Sequence, residues 1–441
     1  MKVWSVLIAK SLSPRAQYAR YNFSSYVAAL VLVLALAAGL WAAATLIRRS
    51  GNAILLAIAR RVFLLSLVIP VSGFLQTQFP QLALHDGQLP TGTAKWAMLG
   101  IALALLSSFT VERFTRSLVK GASVLLLILS PFVLVTFGQS LWLMTKFGDR
   151  PPAPALPAKG DSAPRILWLV FDEMDQRLAF AQRPPSLKLP ELDRLRGQAF
   201  FATNAHSPSA QTLLSMPALF TGKLISRAAP RDPSELLITY GESAEAVGWS
   251  TQPNIFSEAH RAGFNTALMG WYHPYCRIIG GSLTSCRVYE VSDRGFSRSL
   301  ANHLSALTSA IPFIPPQEFS FAQKKEPRRG RLDVYFAMLE EAKKLAVNRD
   351  YGLILVHWPL PHMPAIYDRS QGDFRWDRPV GYLDNLALVD RTVGELRRTM
   401  EEAGMWDRTT ILITSDHSLR GGNWDVKFPC LSEEDAAVVG R

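Results

Sequence analysis

The apolar positions of this chain change their period near residue 150. Before it they form unbroken runs without a single charge: 26–47, closed by Arg48-Arg49; 62–79, preceded by Arg60-Arg61; the shorter 96–109; and 121–144. A helix needs roughly 20 apolar residues to cross a bilayer, so residues 1–146 are predicted to hold about four transmembrane helices. Residues 147–165 (FGDRPPAPALPAKGDSAPR) are rich in Pro and Ala. They predict a semi-extended linker that holds the next domain off the membrane surface. Beyond it the apolar runs are short: Arg165–Phe171, Phe264–Met269, Tyr351–Val356 and Thr409–Thr414. Between them lie helical patterns, clearest at Leu383, Leu386, Val389, Val393, Leu396 and Met400, with spacings of three and four. Fully apolar strands alternating with helices predict an α/β domain over 166–441, its mostly parallel sheet covered by helices.

Charge sharpens the division. The net charge is +11, and all of the excess lies in residues 1–150, flanking the apolar runs; residues 151–441 are formally neutral. Basic residues beside apolar spans are bilayer topology signals, so nucleic acid is not an expected partner. With four spans, the two sides carry equal numbers of basic residues and charge counting leaves orientation open. The three cysteines, Cys276, Cys286 and Cys430, form no zinc-cluster spacing. Cys276 and Cys286 could be a small disulfide loop or two free thiols. With the Pro-rich linker, that pair motivates an extracytoplasmic soluble domain.

In parallel sheets, ligands bind at the carboxyl ends of strands. The first apolar run ends in Asp172-Glu173, the third runs into His357-Trp358-Pro359-Leu360-Pro361-His362, and the last ends in Asp416-His417. Asp, Glu and His at three strand ends suit a divalent metal. A nucleophile is sought in Ser207–Lys223 (SPSAQTLLSMPALFTGK), where turn residues lead into a short helix with Thr212 near its N-terminus. The residues alone allow two roles for Thr212: helix cap, or a metal-activated hydroxyl at an anion-binding helix end.

These motifs resemble the alkaline phosphatase superfamily, especially its sulfatase-like branch. That branch places its nucleophile ten residues before the Gly of a leucine-x-threonine-glycine sequence, with a Ser three residues after the nucleophile. Here Leu219-Phe220-Thr221-Gly222 and Ser215 put the nucleophile at Thr212. Bacterial phosphoethanolamine transferases carry their catalytic Thr five residues before a Pro, and Pro217 gives the same position. The resemblance implies Asp172, Glu173, Asp416 and His417 as ligands of a divalent metal (Zn, Mn or Ca), and His357 and His362 as catalytic groups. It implies His273, at the end of GFNTALMGWYH, as a substrate contact. Several membrane helices before such a domain are also similar to phosphoethanolamine and glycerol-phosphate transferases, whose catalytic domains face outward.

The chain departs from the sulfatase pattern in three places. Position 212 is Thr, which cannot become the formylglycine that a sulfatase makes from Cys or Ser. Trp271 stands where that branch has Lys. The tail Leu431–Arg441 does not resemble the family's further segment, which leads to the expectation of a C-terminal truncation. The expected protein is a multi-pass enzyme of a bacterial-type inner membrane. Its expected reaction is phosphoryl transfer or phosphodiester cleavage through a covalent Thr intermediate, on a lipid, phospholipid or envelope-glycan substrate. A true sulfuric ester hydrolase and an inactive membrane interaction protein are the alternatives.

Overall fold

In the computed structural model of this chain the described residues are 23–66, 112–160, 162–289, 320–375 and 380–420, with single positions between 296 and 304 and position 437. The predicted span at 96–109, most of that at 62–79, Cys430 and nearly all of the tail 431–441 lie outside them. The chain divides into two compact units. Phe23–Trp142 belongs to the first, and the described residues from Leu143 on, apart from 296–304, to the second.

The first unit contributes helices α1 (Phe23–Arg49), α2 (Ala53–Ser66) and α3 (Glu112–Lys146). Among the described residues two stretches, Tyr26–Arg49 and Phe114–Gln139, are long and apolar enough to cross a membrane. That is two where the sequence predicted about four. Leu40, Trp41, Leu127 and Ile128 on these helices are 63–73% exposed, an apolar surface of the sort that marks contact with lipid or another protein. Helix α2 starts well before the predicted run at 62. The Asn52 side chain accepts from the Ile54 and Leu55 amides and fixes the helix start there.

In the second unit the Pro-rich segment is not a free spacer. The Arg150 amide donates to Cys276 O, the Ala153 amide to Leu283 O, and the Leu156 amide to the Asn265 side chain. The segment thus lies along the domain it precedes, because extended backbone leaves its amides available to neighbours.

The strands are β1 (Ile166–Asp172), β2 (Ile225–Asp232), β3 (Glu235–Tyr240), β4 (Ala246–Gly248), β5 (Asn265–Gly270), β6 (Ser285–Val288), β7 (Tyr351–Pro361), the two-residue β8 and β9 (Tyr367–Asp368, Asp373–Phe374), and β10 (Thr410–Ser415). The principal helices are α4 (Pro190–Gln198), α5 (Thr212–Thr221), α6 (Ile255–Arg261), α7 (Tyr275–Ile279), α8 (Ser320–Val347) and α9 (Tyr382–Glu402). The central sheet has the order β10-β1-β7-β5-β6 with every pairing parallel. The four predicted strands are its four longest members. The small antiparallel sheet β2-β3-β4 and β6 were not predicted; β4 and β6 are short, and β2 carries exposed residues along one side.

Alternation sorts the strand side chains between two cores. Leu167, Leu169 and Phe171 of β1, Met269 of β5 and Ile354, Val356 and Trp358 of β7 pack with buried residues of α4, α8 and α9. Val170, Leu268, Leu353 and Leu355 pack on the other face with residues of α5, α6 and α7. Since successive strand residues face opposite ways, His357 continues the series 353, 355 toward the face of α5. Asp172 continues the series from Val170, past an irregularity in register after Phe171.

Several buried carboxylates lie outside the site, Asp390 among them. Asp390 of α9 is 5% exposed and accepts from the Leu192 amide at 2.8 Å. Burial raises its carboxyl to about 6. Because the folded value is the higher one, the native state holds this proton more tightly than the unfolded chain. Stability falls as pH rises from about 4 through 6, and the loss is complete above that. Asp390→Asn keeps an acceptor for Leu192 without the charge. Relative to wild type it is expected to gain stability on the order of 2 kcal/mol at pH 8 and nothing at pH 4. Thermal melts of the detergent-solubilised protein at both pH values check this; equal differences at the two would refute it.

Candidate active site

Three neighbouring strands supply the centre. β1 lies between β10 and β7, so Asp172 at the end of β1, Asp416 just beyond β10 and His357 within β7 converge. All three are fully buried. One potential ligand atom from each lies within 4.8 Å of the others. Strand β7 extends five residues past the predicted end, so His357 is held between β1 and β5, opposite Val170 and Gly270. The resemblance implied it as a catalytic group; the strand fixes it beside the two carboxylates.

Neither oxygen of Asp172, nor Asp416 Oδ2, nor His357 Nε2 has a hydrogen-bond partner. Buried polar atoms are seldom left so. Burial pushes the Asp172 carboxyl well above the usual carboxylate range, with the charges of Asp416 and Glu173 adding to it. Burial likewise raises Asp416 to about 7, against a hydrogen bond from Thr212. The His357 imidazole is held well below its ordinary value by burial and then by His273. Two carboxylates and a neutral imidazole, each with an atom that has no hydrogen-bond partner, are a donor set that fits a divalent cation. Tyr275 Oη lies 2.8 Å from His357 Nδ1. With Nε2 offering its lone pair, Nδ1–H donates to that hydroxyl, which is how an outer partner orients a metal-binding histidine. Gly270 makes room for it: a Cβ there would lie 2.9 Å from the Tyr275 ring and 3.1 Å from His357 Cβ.

His417 borders this cluster. Its Nδ1 donates to Ser418 O at 2.8 Å, which leaves the lone pair of the neutral ring on Nε2. Burial lowers its affinity for a second proton. Nε2 lies 3.4 Å from Asp172 Oδ1, 3.6 Å from Asp416 Oδ2 and 3.2 Å from Thr212 Oγ1. Thr212 is the first residue of α5; Gln211 is the cap and makes no side-chain cap bond. The Thr212 hydroxyl is therefore turned to the cluster, which removes the capping role. The far end of α5 closes on Gly222 at φ 68°, a left-handed conformation that favours glycine.

Glu173 stands outside the three-residue cluster. Its φ is +67°, uncommon for a residue with a side chain and a strain of order 1–3 kcal/mol. Surrounding bonds hold it: its amide donates to Asp416 Oδ1 at 3.2 Å, and its carbonyl accepts from Tyr382 Oη at 2.7 Å. Its carboxylate receives Arg420 Nε at 3.5 Å. His273 is fully buried and spends Nε2–H on Thr212 O at 3.0 Å. It thus binds the backbone carbonyl of Thr212; the resemblance implied a substrate contact for this residue. His362, at the mouth of β7, is partly exposed. Tyr275, Tyr382 and Arg420 carry no motif and were not legible in the sequence.

A parallel α/β sheet with a buried ligand cluster and a helix-borne hydroxyl at its carboxyl edge defines a class of metal-dependent hydrolase-type enzymes. The chain belongs to the sulfatase family of the alkaline phosphatase superfamily: the profile described as Sulfatase matches residues 164–435. No curated protein sequence matches the chain. Among solved structures, Ps i-CgsB in complex with k-i-k-neocarrahexaose aligns at 17% identity over 58% of each chain, with a TM-score of 0.38. The PsFucS1 sulfatase from Pseudoalteromonas sp. aligns at 16% over 63% of each chain, TM-score 0.39. The phosphonate monoester hydrolase of Agrobacterium radiobacter aligns at 16% over 58% of this chain and 63% of its own, TM-score 0.37. The chain thus spans about 58% of the length of Ps i-CgsB, and the family match alone carries the assignment.

Removing Asp416 takes away one ligand and the acceptor of the Glu173 amide. Asp416→Ala is expected to bring the metal content of the purified protein to background, while Tyr275→Phe weakens metal affinity on the order of 10-fold. Elemental analysis after dialysis against graded chelator reads both. Wild-type metal content in Asp416→Ala would reject the cluster as a metal centre.

Proposed function

We propose that this chain is a membrane-anchored enzyme that transfers or hydrolyses a phosphoryl group through a covalent intermediate on Thr212. The observation that carries the reading is the Thr212 hydroxyl, first on its helix, 3.2 Å from a His417 nitrogen that holds a lone pair. Asp172, Asp416 and His357 would hold a divalent cation, with His417 at their edge. When bound, such a cation supplies Lewis-acid stabilisation of charge at the reacting phosphorus.

The remaining steps belong to the chain. The Thr212 proton passes to the His417–Asp416 pair as Oγ1 attacks phosphorus, and the P–O bond to the leaving group breaks. The amides at the start of α5 face the negative charge of the phosphoryl oxygens. His362, partly exposed at the end of β7, donates a proton to the leaving oxygen from Nε2 of its imidazolium form, while Nδ1–H stays on Met363 O. Water or an acceptor hydroxyl then attacks the phosphothreonine, and Thr212 recovers its proton. Thr at position 212 favours this reading over sulfuric ester hydrolysis, since a threonine cannot yield formylglycine. The substrate is proposed to be an anionic ester on a membrane lipid or envelope glycan. A multi-pass anchor in a plasma membrane, with the catalytic domain extracytoplasmic, accords with the two apolar helices and with the Cys276–Cys286 bridge, a bond suited to oxidising compartments.

Thr212→Ala is expected to lower turnover of bis(p-nitrophenyl) phosphate by at least about 10³-fold, as loss of a nucleophile does, with metal content unchanged. Thr212→Ser is expected to keep part of the activity. Mass spectrometry of the wild-type protein quenched during turnover is expected to find a phosphoryl increment on the peptide containing Thr212. Near-normal turnover in Thr212→Ala would reject the assignment. Sulfatase activity gained by Thr212→Cys beside a maturation enzyme would favour the sulfuric ester reading, and absence of any turnover in the wild type would favour an interaction protein.

Orientation has its own test. A reporter active only outside the cytoplasm, fused after Arg441, is expected to give signal; activity of a cytoplasm-only reporter at that position would overturn the placement.

A further inference from the structure

Arg331 lies on α8, 3% exposed, far in sequence from every motif of the site. Its guanidinium carbon stands 4.2 Å from the centroid of the Trp271 ring, in the range of a cation–π stack. Its Nη2 donates to Met363 O at 2.9 Å. The same carbonyl oxygen accepts from His362 Nδ1 at 2.7 Å. A carbonyl only accepts, so the His362 proton is on Nδ1 and Nε2 carries the lone pair of the neutral ring. The Trp271 indole, itself buried, meets the His362 ring edge-on with centroids 5.2 Å apart. Arg331 therefore touches two groups that touch the His362 imidazole: the carbonyl that accepts its Nδ1–H and the indole that meets its ring edge-on. The backbone of His362 is held separately, by its amide on Asp172 O at 3.1 Å and by Asn385 Nδ2 on the Pro361 and His362 carbonyls. Without Arg331 the main chain stays in place and the ring loses its guides.

We propose that Arg331 is a positioning residue that holds the His362 imidazole in one tautomer and orientation through the Met363 carbonyl and the Trp271 ring. Its planar guanidinium can donate in its plane and stack with its face at once, which an ammonium cannot do. The consequence for catalysis rests on the reading that His362 protonates the leaving oxygen: Arg331 then matters most for leaving groups that need that proton.

Two measurements on the full-length protein in detergent separate this inference from that reading. The first needs no activity. Ring-nitrogen shifts of His362 in histidine-labelled protein, assigned by loss of the signal in His362→Gln, are expected to show a single Nδ1–H tautomer for the neutral ring. Arg331→Met is expected to give an averaged tautomer signal, and Arg331→Lys an intermediate one. An unchanged wild-type signature in Arg331→Met overturns the proposal, whatever the enzyme does.

The second reads catalysis on the metal-loaded protein with methyl and p-nitrophenyl phosphodiesters. Arg331→Met is expected to lower kcat on the order of 10–100-fold with the methyl ester leaving group and less than about 3-fold with p-nitrophenolate. It is expected to add nothing to His362→Ala in a double-mutant cycle. Equal losses on both esters, additive with His362→Ala, would mark Arg331 as merely structural and overturn its positioning role in catalysis. If the tautomer shift is seen and no ester is turned over by wild type, the functional reading fails while the placement of His362 by Arg331 stands.

Discussion

Asp172 and Asp416 are two carboxylates with no exposed surface, set at the ends of adjacent parallel strands. Charges so placed repel each other in a medium that screens poorly, and burying an unpaired carboxylate costs several kcal/mol. Either the pair keeps a proton, as the upward displacement of both groups indicates, or a cation sits between them. Much of the surrounding structure follows from that constraint. His357 is neutral because the same burial opposes its protonation, and neutral imidazole is the form that binds metal. His417 is turned by its bond to Ser418 so that a lone pair faces the carboxylates. Glu173 bends its backbone into a left-handed conformation that lets its amide reach Asp416.

The sheet makes the constraint bearable. Its inner strands β1, β7 and β5 are largely buried on both faces, so their positions are fixed by two hydrophobic cores independently of the charges they carry. The helix bearing Thr212 packs into one of those cores through Leu213, Met216 and Phe220. The nucleophile is thereby held by apolar contacts rather than by the cluster it faces. This division lets a strained, charged centre persist in a protein of ordinary marginal stability.

The central strands were legible because an all-apolar run between helices has few other readings. Asp172 and Asp416 stood out because they follow such runs, and Thr212 because its helix ends in a Thr-Gly pair; His357, expected as a catalytic group, completes the three-residue cluster in place of Glu173 and His417. Other features depended on distance in space. Nothing near Tyr275 in the sequence announces its bond to His357, and nothing near Arg331 announces the partners it shares with His362. The length of β7 was underestimated because Pro359 and Pro361 argue against a central strand; the overshoot pairs with β1 at Val170↔His357, Phe171↔Trp358 and, past a shift in register, Asp172↔Pro361. The docking of the Pro-rich segment was hidden because composition reports stiffness and not what lies beside the chain. The sequence left the Cys276 and Cys286 thiols undecided. They are bonded in the structure, with Cα atoms 5.5 Å apart.

Strand β7 carries His357 in paired sheet and delivers His362 just beyond it, so one strand serves both the buried ligand cluster and the partly exposed mouth. Its neighbours β1 and β5 hold it in register on both sides. Gain or loss of a single residue between 351 and 357 would turn His357 to the opposite face of the sheet, into the core that Trp358 now occupies. The loops around this strand can lengthen or shorten over evolutionary time, whereas its interior cannot change length by one residue without exchanging a ligand for a tryptophan. Among descendants of this chain, the spacing from Tyr351 to His357 is therefore expected to be more constant than the identity of the apolar residues within it.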